Sequence, residues 1–390
     1  MDFEKIVAKI EDLKEEYLQF WMDVVNCESP TDYKTGVDMC SNMFINKAKE
    51  RGWKIDIQKQ PVSGDAVCIT LNSDAPGKPF CLSAHLDTVH PLGSFGTPAA
   101  RIEGDKLIGP GVTDCKGGAV TAFMAMHALD ECGFKDRPVK LILQSDEENS
   151  SRTSNKTTIY YMIEQAKDCV AFLNLEGNKR YDNACIARKG IAKYKIEITG
   201  KACHASVCTE GVSAIREAAM KIIELEKNQD LDGITVSCGI ISGGSAENTV
   251  PEHCTFTVDT RFANDAQMKE VDAFVHKIAN TAYVEGTTAT ATLLSSRISM
   301  PRKDTNIALV EALNTYWEKA KLPVCEPVMC FGGSDAAYIS AAGMPTADNL
   351  GIRGGGIHTL DEFAYIESLP VFAARLAVAA AALPDSFNEN

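Results

Sequence analysis

The stretch CLSAHLDTVHPLGSFGTPAARIEGDKLIGPGVTDCKGG, residues 81–118, decides how the chain is read. It opens as an apolar run with the composition of a buried strand and reaches His85 and Asp87, one residue apart. In an extended segment alternate side chains share a face, so these two point the same way and the carboxylate can hold the imidazole by its second nitrogen. The stretch closes on Asp114 in a glycine-rich turn. A histidine with an orienting acid, followed by a loop carboxylate, suits one half of a two-metal hydrolytic site.

Outward from this stretch, spacing predicts helices over 3–26 and 34–51 and strands over 53–58, 67–72 and 80–84. Downstream come a helix over 119–130 and an apolar strand over 139–144 with Asp146, Glu147 and Glu148 at its end. A helix over 159–166 and a strand over 171–175 that ends on Glu176 follow. Helices alternating with apolar strands are the pattern of an α/β sheet, in which chemistry collects at the carboxyl ends of strands.

After residue 190 the pattern changes to strand (194–199), helix (212–226), strand (235–241), strand (254–261), helix (265–283) and strand (287–294). That order is the split βαβ arrangement of a ferredoxin-like α+β module. The expected organisation is one domain from 1–189 and 301–390, closed by helices over 306–320 and 367–383, with a second domain inserted at 190–300. A chain of 390 residues is longer than a single core ordinarily supports, in keeping with two domains.

A formal net charge of -14 argues against nucleic acid or an anionic membrane as the main partner. The charged N-terminal stretch lacks an uninterrupted apolar core and a small-residue cleavage site, so a cytoplasmic location is expected. The 14 cysteines include no CxxC pair and read as reduced, mostly buried small hydrophobes; disulfides and thiolate zinc are disfavoured.

Five groups at strand ends or in loops are candidate metal ligands: His85, Asp114, Glu148, Glu176 and His358. Imidazole and carboxylate suit zinc, and adjacent acids such as Glu147 and Glu148 can diverge, one to a metal and one to a water. Taken singly, each has a plainer reading: HxD in a strand is usually structural, and a DEE triplet is usually a solvated charge run. Their conjunction at predicted strand ends and loops of one domain favours function. GPGVTDCKGG lacks the GxxxxGK[ST] order, which disfavours a nucleotide-binding loop.

HLDTVHPLGS with GPGVTDCKGG, then SDEEN, LNLEG, ARKG, GKACHA, GGSAENTVP, DTR, GGSDAAY and GIHTLDE resemble, in order, the motifs of a zinc exopeptidase family. Its members include glutamate carboxypeptidase, acetylornithine deacetylase and succinyl-diaminopimelate desuccinylase. The resemblance is greatest to the glutamate carboxypeptidase branch. It implies an α/β catalytic domain of the zinc-exopeptidase (phosphorylase/hydrolase-like) fold with an inserted ferredoxin-like lid and dimerisation domain. It also implies two zinc ions per subunit, replaceable by cobalt or manganese, with His85 and Glu176 on one, Glu148 and His358 on the other, and Asp114 bridging.

By the same resemblance Asp87 orients His85 and Glu147 is the general base. His204 reaches the partner subunit's site in a homodimer, and Asn248, Arg261 and Gly333 hold substrate. Two departures stand out: Asn149 replaces the usual glycine after DEE, and Cys115, expected to pack rather than ligate, follows the bridging acid. His90, His127, His253 and His276 carry no expected role. The implied activity is cleavage of an amide next to a free carboxylate, on a small peptide or an N-acyl amino acid. A deacylase and a di- or tripeptidase remain alternatives within the family. A non-catalytic metal-binding protein is the alternative outside it, one that has no use for Glu147.

Overall fold

The computed structural model describes residues 2–178, 183–227 and 229–388. Two compact units are present, Met1–Ile186 with Arg302–Met329 and Ser334–Asn390, and Ala187–Pro301 with Cys330–Gly333. Gly333, placed by sequence in the first domain, groups with the second unit. Its Cα packs where an added Cβ would stand 2.7 Å from Arg297 and 2.9 Å from Ile191, and Arg188 donates to the neighbouring Gly332 carbonyl at 3.1 Å.

The first unit is built on a six-stranded sheet in the order Lys54–Gln58, Ala66–Leu71, Val139–Gln144, Phe80–His85, Phe172–Asn174 and Thr346–Ala347. The last four run parallel, and Ala66–Leu71 runs against both its neighbours, so the sheet is mixed. Ala66–Leu71 and Phe80–His85 are buried along their whole length, which is why they read as continuous apolar runs rather than alternating ones. Around Phe123 the aromatic rings of Tyr17, Phe20, Phe44 and Trp53 gather at centroid distances of 5.0–6.5 Å.

The helix after the opening stretch runs from Lys116 to Glu131, starting three residues before its expected position and taking in Gly117 and Gly118. Both glycines are there for close approach. A Cβ on Gly118 would lie 2.2 Å from the Leu175 carbonyl oxygen, and one on Gly117 would lie 2.5 Å from that of Val112. The single helix expected over 3–26 is two, Phe3–Asp12 and Lys14–Asn26. At the break the Leu13 N–H is shared between the carbonyls of Lys9 and Ile10, a local tightening of the turn.

A small four-stranded sheet was not legible in the sequence. It joins Gly354–Gly355, Phe363–Tyr365, Lys106–Ile108 and Arg101–Glu103. Strands of two or three residues carry no periodicity to detect, yet this sheet ties the loop bearing Asp114 to the turn bearing His358.

In the second unit Thr235–Gly243, His253–Phe262, Gly190–Thr199 and Thr288–Arg297 form an antiparallel sheet in that order, carrying helices Ala214–Glu226 and Asp265–Asn280. This is the ferredoxin-like arrangement the element order implied. Ala192, Tyr194, Ile196 and Ile198 alternate inward, as do Phe256, Val258 and Phe262. The described cysteines are all free, with Cys40, Cys68, Cys81 and Cys115 among the buried ones. No helix among the described residues is long and apolar enough to cross a membrane.

Gly118→Ala is expected to destabilise the protein by about 1–3 kcal/mol, because the methyl meets backbone that cannot swing aside. A lower urea midpoint at unchanged transition slope would register this; an unchanged midpoint would contradict the packing.

Candidate metal centre

Five segments deliver the central residues. His85 is the last residue of Phe80–His85, Glu147 and Glu148 follow Val139–Gln144, and Glu176 follows Phe172–Asn174, so three adjacent parallel strands place their carboxyl ends together. Asp114 lies between Lys106–Ile108 and the helix from Lys116. His358 sits at the tip between the two hairpin strands of the small sheet, with φ of 65°, a left-handed conformation uncommon outside glycine.

The five candidate ligands converge around Asp114. Its Oδ1 is 2.9 Å from His85 Nε2 and its Oδ2 is 3.3 Å from His358 Nε2. Glu176 Oε2 lies 3.7 Å from His85 Nε2, and Glu148 Oε2 lies 3.1 Å from His358 Nε2. One carboxylate thus stands between two histidine–glutamate pairs. The His85 side is closed, with that ring 2% exposed, whereas the His358 ring is half exposed.

Asp87 is placed differently from the simplest reading of HxD. The chain has left the strand by this residue, and His85 Nδ1 lies 2.9 Å from the Asp87 carbonyl oxygen but 3.4 Å from the carboxylate. The Asp87 carboxylate instead accepts from the backbone N–H groups of Glu147 at 3.0 Å and Glu148 at 3.1 Å, and from the Thr31 hydroxyl at 2.7 Å. It therefore fixes the histidine through its backbone and the acidic turn through its side chain.

Glu362 was not singled out from sequence, although it lies within GIHTLDE. Fully buried, it accepts from the N–H groups of Thr113 at 2.9 Å, Asp114 at 3.0 Å and Gly111 at 3.3 Å, and from His90 Nε2 at 2.8 Å. His90, given no role above, is part of this clamp. Cys115 packs: its thiol is fully buried, donates to the Leu175 carbonyl at 2.8 Å, and is pushed up by burial. Asn149 accepts from the Arg152 N–H at 2.9 Å and so supports the turn that follows the acids.

Burial dominates the electrostatics. It raises Glu148 to about 8 and Glu176 to about 8, and the nearby Asp114 and Glu147 carboxylates add to both. Hydrogen bonds to Asp114 and Glu148 raise His358 to about 10. Burial also raises Asp114, but the two histidines outweigh it and hold this acid well below the usual carboxylate range. No Lys or Arg among the described residues pairs with Asp114, Glu148 or Glu176.

Three desolvated carboxylates with two imidazoles, and no fixed cation among the described residues, form a donor set that suits divalent metal. The groups His85, Asp114 and Glu148, and His85, Cys115 and Glu176, bring ligand atoms within 4.8 Å of one another. The protonated, carbonyl-bonded Cys115 is the weakest donor of these.

The second unit holds the other candidates. His204 pairs with Thr249 across a short antiparallel contact, its ring 2.8 Å from Ser206 Oγ, and the Ala205 N–H donates to the Asn248 carbonyl at 2.8 Å. His204 and Asn248 are therefore neighbours. Arg261 makes a two-pronged contact with Asp259, at 2.7 and 3.1 Å.

Comparisons with known proteins agree with this architecture. Residues 186–287 match the peptidase dimerisation domain of M20 type, and residues 66–223 match peptidase family M28. Carboxypeptidase G2 of Pseudomonas sp. (strain RS-16) is 27% identical over 368 residues, 93% of this chain and 87% of that one. A probable succinyl-diaminopimelate desuccinylase of Staphylococcus aureus is 24% identical over 306 residues, 68% and 72% of the two chains. A tripeptidase from Staphylococcus aureus has the same fold, with a TM-score of 0.79 at 19% identity over 97% of this chain and 99% of that one. The chain thus resembles the M20-type peptidases and related amide hydrolases along most of its length and shares their fold.

Glu148, Glu176 and His358 all hold protons more tightly folded than unfolded. In metal-free protein their stabilising contribution is fully present below the unfolded values of 4.5 and 6.5, and is lost as pH rises through about 8 for the acids and about 10 for His358. Asp114 acts in the opposite sense, only in strong acid. The urea midpoint of chelator-treated protein should therefore fall from about pH 5 to about pH 9, and added divalent metal should reverse the fall; a midpoint rising over that range would contradict the assignment.

Proposed function

We propose that the protein is a zinc-dependent hydrolase that cleaves the amide of a C-terminal amino acid, as a glutamate-type carboxypeptidase. The observation that carries this reading is Asp114, whose two oxygens face two separate histidine–glutamate pairs. His85 and Glu176 would hold one ion, His358 and Glu148 the other, and Asp114 both. The chemistry such ions supply is a lowered water pKa and polarisation of the scissile carbonyl.

The Glu147 carboxylate accepts a proton from the attacking water and returns it to the leaving amine nitrogen. Its position is set from behind by its N–H bond to Asp87. His204, supplied by the other copy in a homodimer, donates to the developing oxyanion. Asn248, Arg261 and the backbone at Gly333 hold the substrate carboxylate, for which a guanidinium offers paired donors. Asp259 keeps the Arg261 fork in one plane.

The match to carboxypeptidase G2 over 93% of this chain supports the carboxypeptidase reading. An N-acyl-amino-acid deacylase is the second reading, favoured by the likeness to a desuccinylase.

Glu147→Gln is expected to lower kcat by at least about a hundredfold while zinc binding, read by calorimetry, stays within about threefold of the parent. A near-normal kcat would remove Glu147 from its role. A panel of N-blocked dipeptides and N-acyl amino acids, scored by released amine, should show preference for a blocked N-terminus with C-terminal Glu or Asp, and chelation should abolish release. A requirement for a free N-terminus would overturn the carboxypeptidase reading.

A further inference from the structure

Beside Glu148 the first unit opens into a cavity of about 640 Å³. The residues around it fall into a pattern. Tyr33, Val89 and Leu92 line it and are large apolar side chains left 38%, 41% and 54% exposed, although most side chains of their kind are buried in this unit. Pro30 and Pro91 complete the apolar wall. Apolar side chains gathered on part of a concavity, with a candidate metal ligand at its edge, mark a ligand site rather than scattered surface residues.

The wall is held rigidly and is tied to the cluster. Pro30 bridges to Thr88, and the neighbouring Thr31 hydroxyl bonds the same Asp87 carboxylate that fixes Glu147 and Glu148. The Tyr33 ring lies against Gly36, where an added Cβ would stand 2.5 Å from it, and the Tyr33 N–H donates to the Pro30 carbonyl at 2.8 Å. The rest of the lining is polar, and in it the Asp32 and Glu148 carboxylates outnumber the single guanidinium of Arg152, which disfavours an anionic acyl group. A cavity of about 500 Å³ elsewhere in the unit differs on both counts. Its Trp53 and Lys135 are already engaged with Asp130 and Asn72, and it includes none of the cluster residues.

We infer that the cavity between Tyr33, Val89 and Leu92 is the subsite for the acyl half of the substrate, and that it selects an apolar acyl group, aliphatic or aromatic, over a small or charged one. The inference rests on the hydrolase reading above. Glu148 borders the cavity and faces His358 at 3.1 Å, which puts the cavity within reach of an amide held at the cluster. Tyr33, Val89 and Leu92 are thus specificity residues, with no part in moving protons.

The test uses the full-length zinc-loaded protein and three substrates with one leaving amino acid: N-acetyl, N-hexanoyl and N-succinyl glutamate. The parent should favour hexanoyl over both acetyl and succinyl by at least about tenfold in kcat/KM, as burial of a few methylenes allows. Leu92→Asp and Val89→Asp should each cut the hexanoyl-to-acetyl ratio by about tenfold. Both positions are surface-exposed, and the ratio within one variant is independent of how much of it is folded. Free hexanoate should also inhibit the parent at lower concentration than acetate. A ratio near one in the parent, a succinyl preference, or a ratio unmoved in both variants would overturn the subsite while leaving the hydrolase intact. No hydrolysis of any amide would overturn the hydrolase reading, and this one with it.

Discussion

Three carboxylates and two imidazoles share one partly closed space with no lysine or arginine among the described residues to neutralise them, and much of the first unit follows from that constraint. Removing such groups from water is costly unless each is held by donors or by a bound cation. The chain meets the cost partly through carboxylates outside the ligand set. Asp87 gathers the N–H groups of the turn that bears Glu147 and Glu148, and Glu362 gathers those of the turn that bears Asp114. The turn of Glu147 and Glu148 and the turn of Asp114 are thus each anchored by a buried acid outside the set of candidate ligands.

This arrangement orders the site from the inside outward. His85 lies on the closed side, at the end of a strand buried along its length, whereas the His358 ring is half exposed and Glu148 borders the cavity lined by Tyr33 and Leu92. The Lys116–Glu131 helix packs so tightly on the Leu175 segment that only glycine fits at 118, which fixes the spacing between Asp114 and Glu176.

Three of the five candidate ligands were legible because a buried strand is an uninterrupted apolar run, and the charged or imidazole groups that close it are conspicuous. His85, Glu148 and Glu176 all qualify on that ground. The ferredoxin-like order of the second unit was legible for the same reason, since Gly190–Thr199 and His253–Phe262 alternate cleanly. Glu362 and His90 were not, because a carboxylate that bonds backbone N–H groups leaves no mark in composition or spacing. The strands that position Glu362 are only two or three residues long. Asp87 was legible as a partner of His85, but the direction its carboxylate takes depends on where the strand ends, and periodicity locates strand ends poorly.

The bonds from the Gly111, Thr113 and Asp114 amides to Glu362 span 251, 249 and 248 residues of chain. They couple the Asp114 turn to a segment made late in synthesis. A growing chain can lay down the Phe80–His85 and Val139–Gln144 strands early, but its Asp114 turn keeps water on those amides until residue 362 has emerged and the small sheet has closed. The cluster around Asp114 is therefore a feature of high contact order on a scaffold of more local contacts, and it is complete only when nearly all of the polypeptide is in place.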